Sequence, residues 1–416
     1  MLTRVLQIQI DFTTKVEDFV AHNGPKFSYT KVALSKEFFV KSHNLLFEQG
    51  IKDIEINVEL WKGVPCFFFQ GKTSDLPFDI FSASFYLISR YEEYQPHIKD
   101  KHSRFKYSDS LAFKNGFLEK PIIDIWAYLF FEQLKERFPN FNYQSRKYCY
   151  ISTLSVNNAY AYKHKSFVRT IGGFLKDLYK IKIISIWDRL TVLLNLKTDP
   201  FDTFKNIIDL KNKHEIKTIF FFLIGDYTTF DNNVSASKTK FKLLIKDMVD
   251  YAEVGLLSSY YTANDIDALK KEKERLESIT NIHVKRSRQH YLRFSLPETY
   301  QKLIDLEFEE DYSMGYTNKI GFRASTCTPF YFYDLDFEIQ TPLKIFPFAF
   351  MDSTLNHHMK LSPKQALGKI RDLKNEVKKV NGVFISLFHN ESLSGYKNWK
   401  GWSRLYGSML KISKQQ

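Results

Sequence analysis

From about residue 147 onward, short apolar runs alternate with stretches of helical periodicity, and this alternation restricts the possible folds more than any other feature of the chain. Strand-like runs fall at 148–154, 218–224 (TIFFFLI), 253–256, 282–285, 320–323, 346–350 and 383–388. Between them, 201–214, 238–251 and 264–280 repeat apolar residues at helical spacing. The last helix is the best punctuated. Ser362 can cap it, Pro363 suits its first position, Gln365 completes a capping box, and Gly382 follows as a stop. Strand–helix alternation of this kind implies an α/β chain with a parallel sheet, open or closed into a barrel. In such barrels chemistry gathers where strands end. The positions just after the strand-like runs read SVNN (155–158), GD (225–226), LSSY (257–260), SRQH (287–290), RAST (323–326), MD (351–352) and HNE (389–391).

The first 146 residues follow a different, irregular pattern, with amphipathic helices expected at 80–94 and 121–137. Two domains are therefore expected, a smaller α+β domain at 1–146 and the alternating region at 147–416. Composition excludes several alternatives. With 39 Phe and 24 Tyr the chain has ample material for a core, unlike a disordered chain. Cys66, Cys149 and Cys327 lie far apart with no CxxC, which argues against a disulfide scaffold or a cysteine zinc cluster and for a reducing compartment. The N-terminus does not read as a signal peptide, and no apolar run approaches the ~18 residues of a membrane span. A soluble, cytoplasmic protein is the expectation. The net charge of +13 raises nucleic acid, an anionic membrane face or acidic glycans as partners. The lysines are scattered and no nucleic-acid motif is present, so the charge reads as a solvated surface.

Beyond these patterns, several motifs are familiar. FSASFYLISRYEEY (81–94), DKHSRF (100–105) and KNGFL (114–118) precede NNAYAY (157–162), FFFLIGD (220–226), SRQH (287–290), DYSMGY (311–316), GFRAST (321–326) and LFHN (387–390). On these segments the chain resembles the polysaccharide deacetylase (NodB-homology, carbohydrate esterase) superfamily, and within it a bacterial subgroup with an N-terminal domain of unknown function. The resemblance implies a distorted (β/α) barrel that hydrolyses acetyl groups on carbohydrate, in surface-polysaccharide metabolism. It implies one divalent metal, usually zinc, held by an Asp and two His, with a second Asp as base and a late-strand His as acid. A metal lowers the pKa of its water and polarises the carbonyl, while the titratable pair moves the proton.

Carried over by position, the resemblance makes His389 the late-strand acid, Arg323 the arginine that orients the catalytic carboxylate, and Asp352 the aspartate that orients the acid histidine. The metal motifs are degraded. Where the subgroup reads Thr-x-Asp-x-Asp-Asn, this chain has Thr153-Leu154-Ser155-Val156-Asn157-Asn158. Where a histidine follows Val-Gly-Leu, Leu257 follows Val254-Gly255-Leu256. Leu257 cannot ligate, Ser155 and Asn157 are neutral oxygen donors, and an amide cannot act as a base. His290 is the best remaining metal ligand. A zinc site built this way is incomplete.

Each of these residues also has a plainer role open to it. His290 and His389 can be structural histidines, Arg323 a buried hydrogen-bond hub, Asp352 a loop cap, and Asp226 and Asp231 turn residues. Among the aromatics, Tyr160, Tyr162, Trp399 and Trp402 suit core packing. Tyr260, beside the lost histidine position, suits a cleft wall, with Asn158 as a second substrate contact. Two functions follow. One is a deacetylase whose site has been rebuilt around His290, His389 and Asp226. The other is an inactive glycan- or partner-binding pseudoenzyme, which the missing carboxylates favour.

Overall fold

The computed structural model describes residues 1–71, 73–141 and 143–414. In the N-terminal third, β1 (Phe27–Thr30) and β2 (Phe38–Lys41) pair in parallel. β3 (Glu59–Trp61) and β4 (Val64–Cys66) form an antiparallel hairpin. Its two-residue turn, Lys62-Gly63, has positive φ at both positions (48° and 75°), which matches the twist of the flanking strands. Helix Ile80–Ile88 starts at Asp79, whose carboxylate accepts the N–H groups of Phe81 and Ser82. The single helix expected over 80–94 is broken. Arg90 adopts φ +58° between Ile88 and the short helix Tyr91–Tyr94, because its buried guanidinium turns back to bind Glu92 and Glu93. Helix Ile122–Arg137 packs Trp126 against Phe67 and Phe78, edge to face, within a core that also takes in Tyr316 and Leu335.

The remaining strands form a nine-stranded sheet: β5 (Cys149–Val156), β6 (Lys217–Leu223), β7 (Glu253–Ser258), β8 (Arg286–Gln289), β9 (Glu310–Asp311), β10 (Phe330–Asp334), β11 (Ile339–Ile345), β12 (Phe350–Met351) and β13 (Val383–His389). The order is β10-β11-β9-β8-β7-β6-β5-β13-β12, with only β10 and β11 antiparallel. β6 is buried on both faces apart from Lys217, as expected of a central parallel strand covered by helices. Residues of alternate parity serve two cores. Leu154, Phe220, Phe222 and Leu256 pack under the helices, while Ile151, Ile219, Phe221, Leu257 and Leu387 line the other face. That second face is concave, since Arg288 on β8 reaches Thr153 and Ser155 on β5 across it. Between β11 and β12 the chain bonds to both ends of this curve. Phe346 N–H donates to Asp311 O and Ala349 N–H to Ile385 O.

Helix Pro363–Lys379 carries the expected capping box between Ser362 and Gln365. Three expected strands differ. The run 282–285 follows the left-handed cap Asn281 as a loop, and the strand is the polar segment Arg286–Gln289. Residues 320–323 are not a strand, because Gly321 (φ +128°) and Phe322 turn to meet Ala349 O and Leu118 O. Only the end of 346–350 is a strand, whereas Ile339–Ile345 supplies a longer one. The N-terminal third docks on the loop after this turn. Asp124, fully buried, accepts bonds from Thr326 Oγ1, Cys327 N–H, Thr328 Oγ1 and the Arg146 guanidinium.

Candidate functional site

Side-chain alternation brings the strand-end residues together. Ile385, Leu387 and His389 share the concave face, as do Ile151, Thr153 and Ser155. Register then places His389 beside Ser155, and Ser155 beside Phe221. His389 Nδ1–H donates to Asp352 Oδ1 at 2.7 Å, and the backbone N–H of His389 donates to Oδ2 at 2.7 Å. Asp352 is fully buried after the short strand β12. His290, at the end of β8, donates Nδ1–H to Asp231 Oδ1 at 2.7 Å. Each imidazole therefore has Nδ1 taken by a carboxylate, which leaves Nε2 as the atom available for chemistry.

The two histidines are tuned in opposite directions. Burial disfavours the charged form of both. At His290 burial dominates, and its pKa falls below the usual 6.5. At His389 the charge and hydrogen bond of Asp352 outweigh burial, and the pKa rises. Nearby Glu391 is raised by burial. A histidine NMR titration should place the His389 midpoint above 6.5 and that of His290 below it. Asp352→Asn should bring the His389 midpoint down. For stability the signs are opposite as well. The His389 contribution is complete below 6.5 and lost as pH rises through its raised pKa. The neutral His290 costs stability as pH falls below 6.5.

Arg288 is the residue that sequence reasoning missed. It is 1% exposed, with its guanidinium over the Phe221 ring at 4.3 Å. Nη1 donates to Ser155 Oγ at 3.2 Å, Nη2 to Thr153 Oγ1 at 2.7 Å, and Nε to Tyr312 O at 3.0 Å. All three acceptors are neutral, and burial depresses the Arg288 pKa to about 9. Arg323, expected to orient a carboxylate at this site, is committed elsewhere. It forms a two-pronged pair with Glu93, and Nη1 donates to Gly315 O. The SRQH segment supplies the strand-end arginine from within β8, a signal present in the sequence beside its histidine.

The other expected residues fall around this centre. Leu257, next to last in β7, is 1% exposed and lies within the apolar cluster of the concave face. Asn157 and Asn158 each bury a side-chain carbonyl oxygen without a hydrogen-bond partner, and the Asn158 main-chain carbonyl accepts from Asn390 Nδ2. Tyr260 is buried rather than open. Its ring stacks on Phe230 at 3.9 Å under the Arg293 guanidinium, and its hydroxyl meets His102 Nδ1 at 3.0 Å. Asp226 points to solvent with Arg275, so Asp231 is the acidic partner of His290. Asp231 is also a turn residue, accepting from Thr228 Oγ1 and Tyr260 N–H.

The N-terminal segment reaches this end of the sheet. Asp100 folds the loop by accepting from His102 N–H, Arg104 N–H and Arg104 Nε. Arg104 Nη1 then donates to Tyr291 O, next to His290. A cavity of about 220 Å³ lies between this loop and the segments that follow β8 and β9, lined by Arg104, Tyr107, Leu292, Tyr316, Asn318 and Arg323 among others, beside rather than at the His290 and His389 centre.

Zinc does not fit these residues. Among the described residues, no three His, Cys, Asp or Glu side chains group as a metal would require. At the strand end, Ser155 offers a neutral hydroxyl already bonded to a guanidinium. A cation there would face Arg288 with no intervening negative charge.

A family of unknown function, DUF7033, matches residues 1–139. No curated protein matches the sequence. Solved structures show resemblance at low identity. A Mycobacterium smegmatis protein assigned as a polysaccharide deacetylase is 12% identical over 66% of this chain and 86% of its own, with a TM-score of 0.41. The polysaccharide deacetylase Bc1974 from Bacillus cereus is 12% identical over 64% of this chain and 88% of its own (TM-score 0.33). A wild-type CE4 family pseudoenzyme from Bacillus anthracis is 14% identical over 64% of this chain and 61% of its own (TM-score 0.33).

Proposed function

We propose that this chain is a deacetylase-like protein that binds acetylated carbohydrate at its strand ends and has lost metal-dependent hydrolysis. The observation that carries the reading is the bond from the buried Arg288 to Ser155. The buried guanidinium bonds only neutral oxygens, and the Ser155 hydroxyl among them can neither ligate a cation strongly nor accept a proton near neutral pH. Leu257 removes a further ligand from the same end of the sheet. The remaining groups suit recognition: two buried asparagine carbonyl oxygens without partners, two oriented imidazoles, and a cavity with aromatic and polar walls. As part of the proposal, residues 1–146 form a separate domain that supplies the His102–Arg104 loop to this mouth. The bonds at Phe346 and Ala349 support a sheet closed into a distorted barrel.

The test is the zinc content and zinc affinity of the purified protein, beside a His290→Ala/His389→Ala variant. No specific zinc is expected in either. One tightly bound zinc per chain, lost in the variant, would overturn the reading. The triple change Ser155→Asp, Asn157→Asp and Leu257→His should raise zinc affinity sharply, and no gain would sink the motif assignment.

A second reading rests on the two imidazoles whose Nδ1 atoms are held by Asp231 and Asp352, with Nε2 of each left for chemistry. His290 would take a proton from the attacking water and His389 would give one to the leaving group, the direction in which burial and Asp352 bias them, which amounts to metal-free acetyl hydrolysis. Hydrolysis of an acetylated oligosaccharide that persists in chelator and disappears in His389→Ala would establish it.

A further inference from the structure

The chain between β5 and β6 carries two helices, Phe167–Tyr179 and Ile183–Leu193, joined by a three-residue link and tied by Arg189 to Asp177 at 2.7 Å. The first helix buries none of its residues. Its apolar stripe, Phe167, Ile171, Leu175 and Leu178, recurs at helical spacing and faces outward. The second helix is inverted relative to an ordinary surface helix. Three of its four buried residues are Ser185, Asp188 and Arg189, while Ile183, Ile184, Trp187 and Leu190 are exposed. At the tip Tyr179 is 87% exposed and Ile181 79%, and Trp187 is 67% exposed. Monomeric soluble proteins rarely expose a contiguous apolar face, and one of this kind marks a protein or membrane interaction site.

Charge selects the occupant. Residues 163–197 hold eight Lys or Arg against two Asp, a net +6 within a chain of net +13. Both aspartates are consumed, Asp177 by Arg189 and Asp188 by Lys197. Lys176, Lys180 and Lys182 have no acidic partner among the described residues and flank the apolar tip. Two copies meeting through this face would bring +6 against +6. An anionic lipid surface instead takes the apolar stripe into its acyl boundary and the lysines among its headgroups. The helices, of 13 and 11 residues, are ~20 and ~16 Å long, short of the ~30 Å hydrocarbon layer, and no helix of the described residues is long and apolar enough to span.

We propose that this helical hairpin is an interfacial membrane anchor that seats the protein on an anionic lipid surface. Its base lies at the functional end of the sheet. The Tyr162 hydroxyl meets that of Tyr396 at 2.8 Å, a few residues beyond His389, and Arg189 lies over the Tyr162 ring. The anchor therefore holds the site's mouth near the membrane. Resting on the function proposed above, this points to carbohydrate attached to a lipid or displayed at the membrane surface.

The test is cosedimentation of the full chain with phosphatidylcholine vesicles, with and without phosphatidylglycerol. Binding is expected to the anionic vesicles, weakened by salt, with a blue shift of tryptophan emission that Trp187→Phe removes. Leu175→Asp with Trp187→Asp should abolish binding. Lys176→Gln, Lys180→Gln and Lys182→Gln together should weaken it on the order of 100-fold. These residues are exposed, so unchanged thermal unfolding would show that the variants fold. Absence of binding to either vesicle would overturn the proposal. So would a solution dimer that Leu175→Asp/Trp187→Asp converts to monomer without any vesicle binding. Zinc and glycan binding in solution do not involve the hairpin, so failure there leaves the vesicle result standing.

Discussion

Glu93→Ala is expected to destabilise the protein by about 3–5 kcal/mol, the cost of stranding buried charge by removing one partner. Glu93 is the anion shared by two buried arginines from different parts of the chain. Oε1 accepts from Arg90 Nε at 2.7 Å and Arg323 Nε at 2.8 Å, and Oε2 accepts from Arg323 Nη2 at 2.5 Å. Arg90 and Arg323 are 1% and 2% exposed, so neither guanidinium can turn to water. Burial alone would raise the Glu93 pKa, but Arg323 and Arg90 hold it down at about 2. The contribution is therefore complete above the ordinary 4.5 and fades as pH falls toward about 2. Urea unfolding of wild type and variant at neutral pH would measure it. A loss below about 1 kcal/mol would mean that the pair behaves as a solvated surface contact.

Ser155→Asp should have the opposite sign. It places a carboxylate beside the Arg288 nitrogen that now donates to a hydroxyl, converting a bond charged on one side only into a buried ion pair, a gain of about 1 kcal/mol. The depressed pKa of Arg288 shows what its charge costs without such a partner, since Asp311 and Asp352 raise it from a distance but do not bond to it. In an Arg288→Met background the same Ser155→Asp change should destabilise, because it buries an unpaired carboxylate. Chemical denaturation of the four proteins closes the cycle. Equal effects in both backgrounds would separate Arg288 from position 155 and remove the basis of the proposed function.

The site was partly legible. The strand-end rule led to His389, Asp352, Ser155 and His290, because alternation in a buried parallel strand is written directly in its residues. Arg323 was misplaced for a physical reason. Two arginines sit in recognisable motifs, and which of them faces the concave interior depends on the backbone turn at Gly321 and on Glu93 more than two hundred residues earlier. Asp231 resembled a turn residue because it is one, and its second partner, His290, lies 59 positions away.

The sequence by itself determined the α/β alternation, the central strands β5, β6, β7 and β13 and the capped helix Pro363–Lys379. These follow from local periodicity and local capping, neither of which needs a distant partner. Tertiary structure alone decided the rest. The meeting of Arg288 with Ser155 and the reach of His102 to Tyr260 depend on contacts between segments far apart in the chain, and the outward face of the 167–193 hairpin on the lack of one among the described residues. An apolar stripe at helical spacing looks the same in sequence whether it meets a core or a membrane; only the packing around it shows that nothing among the described residues covers it.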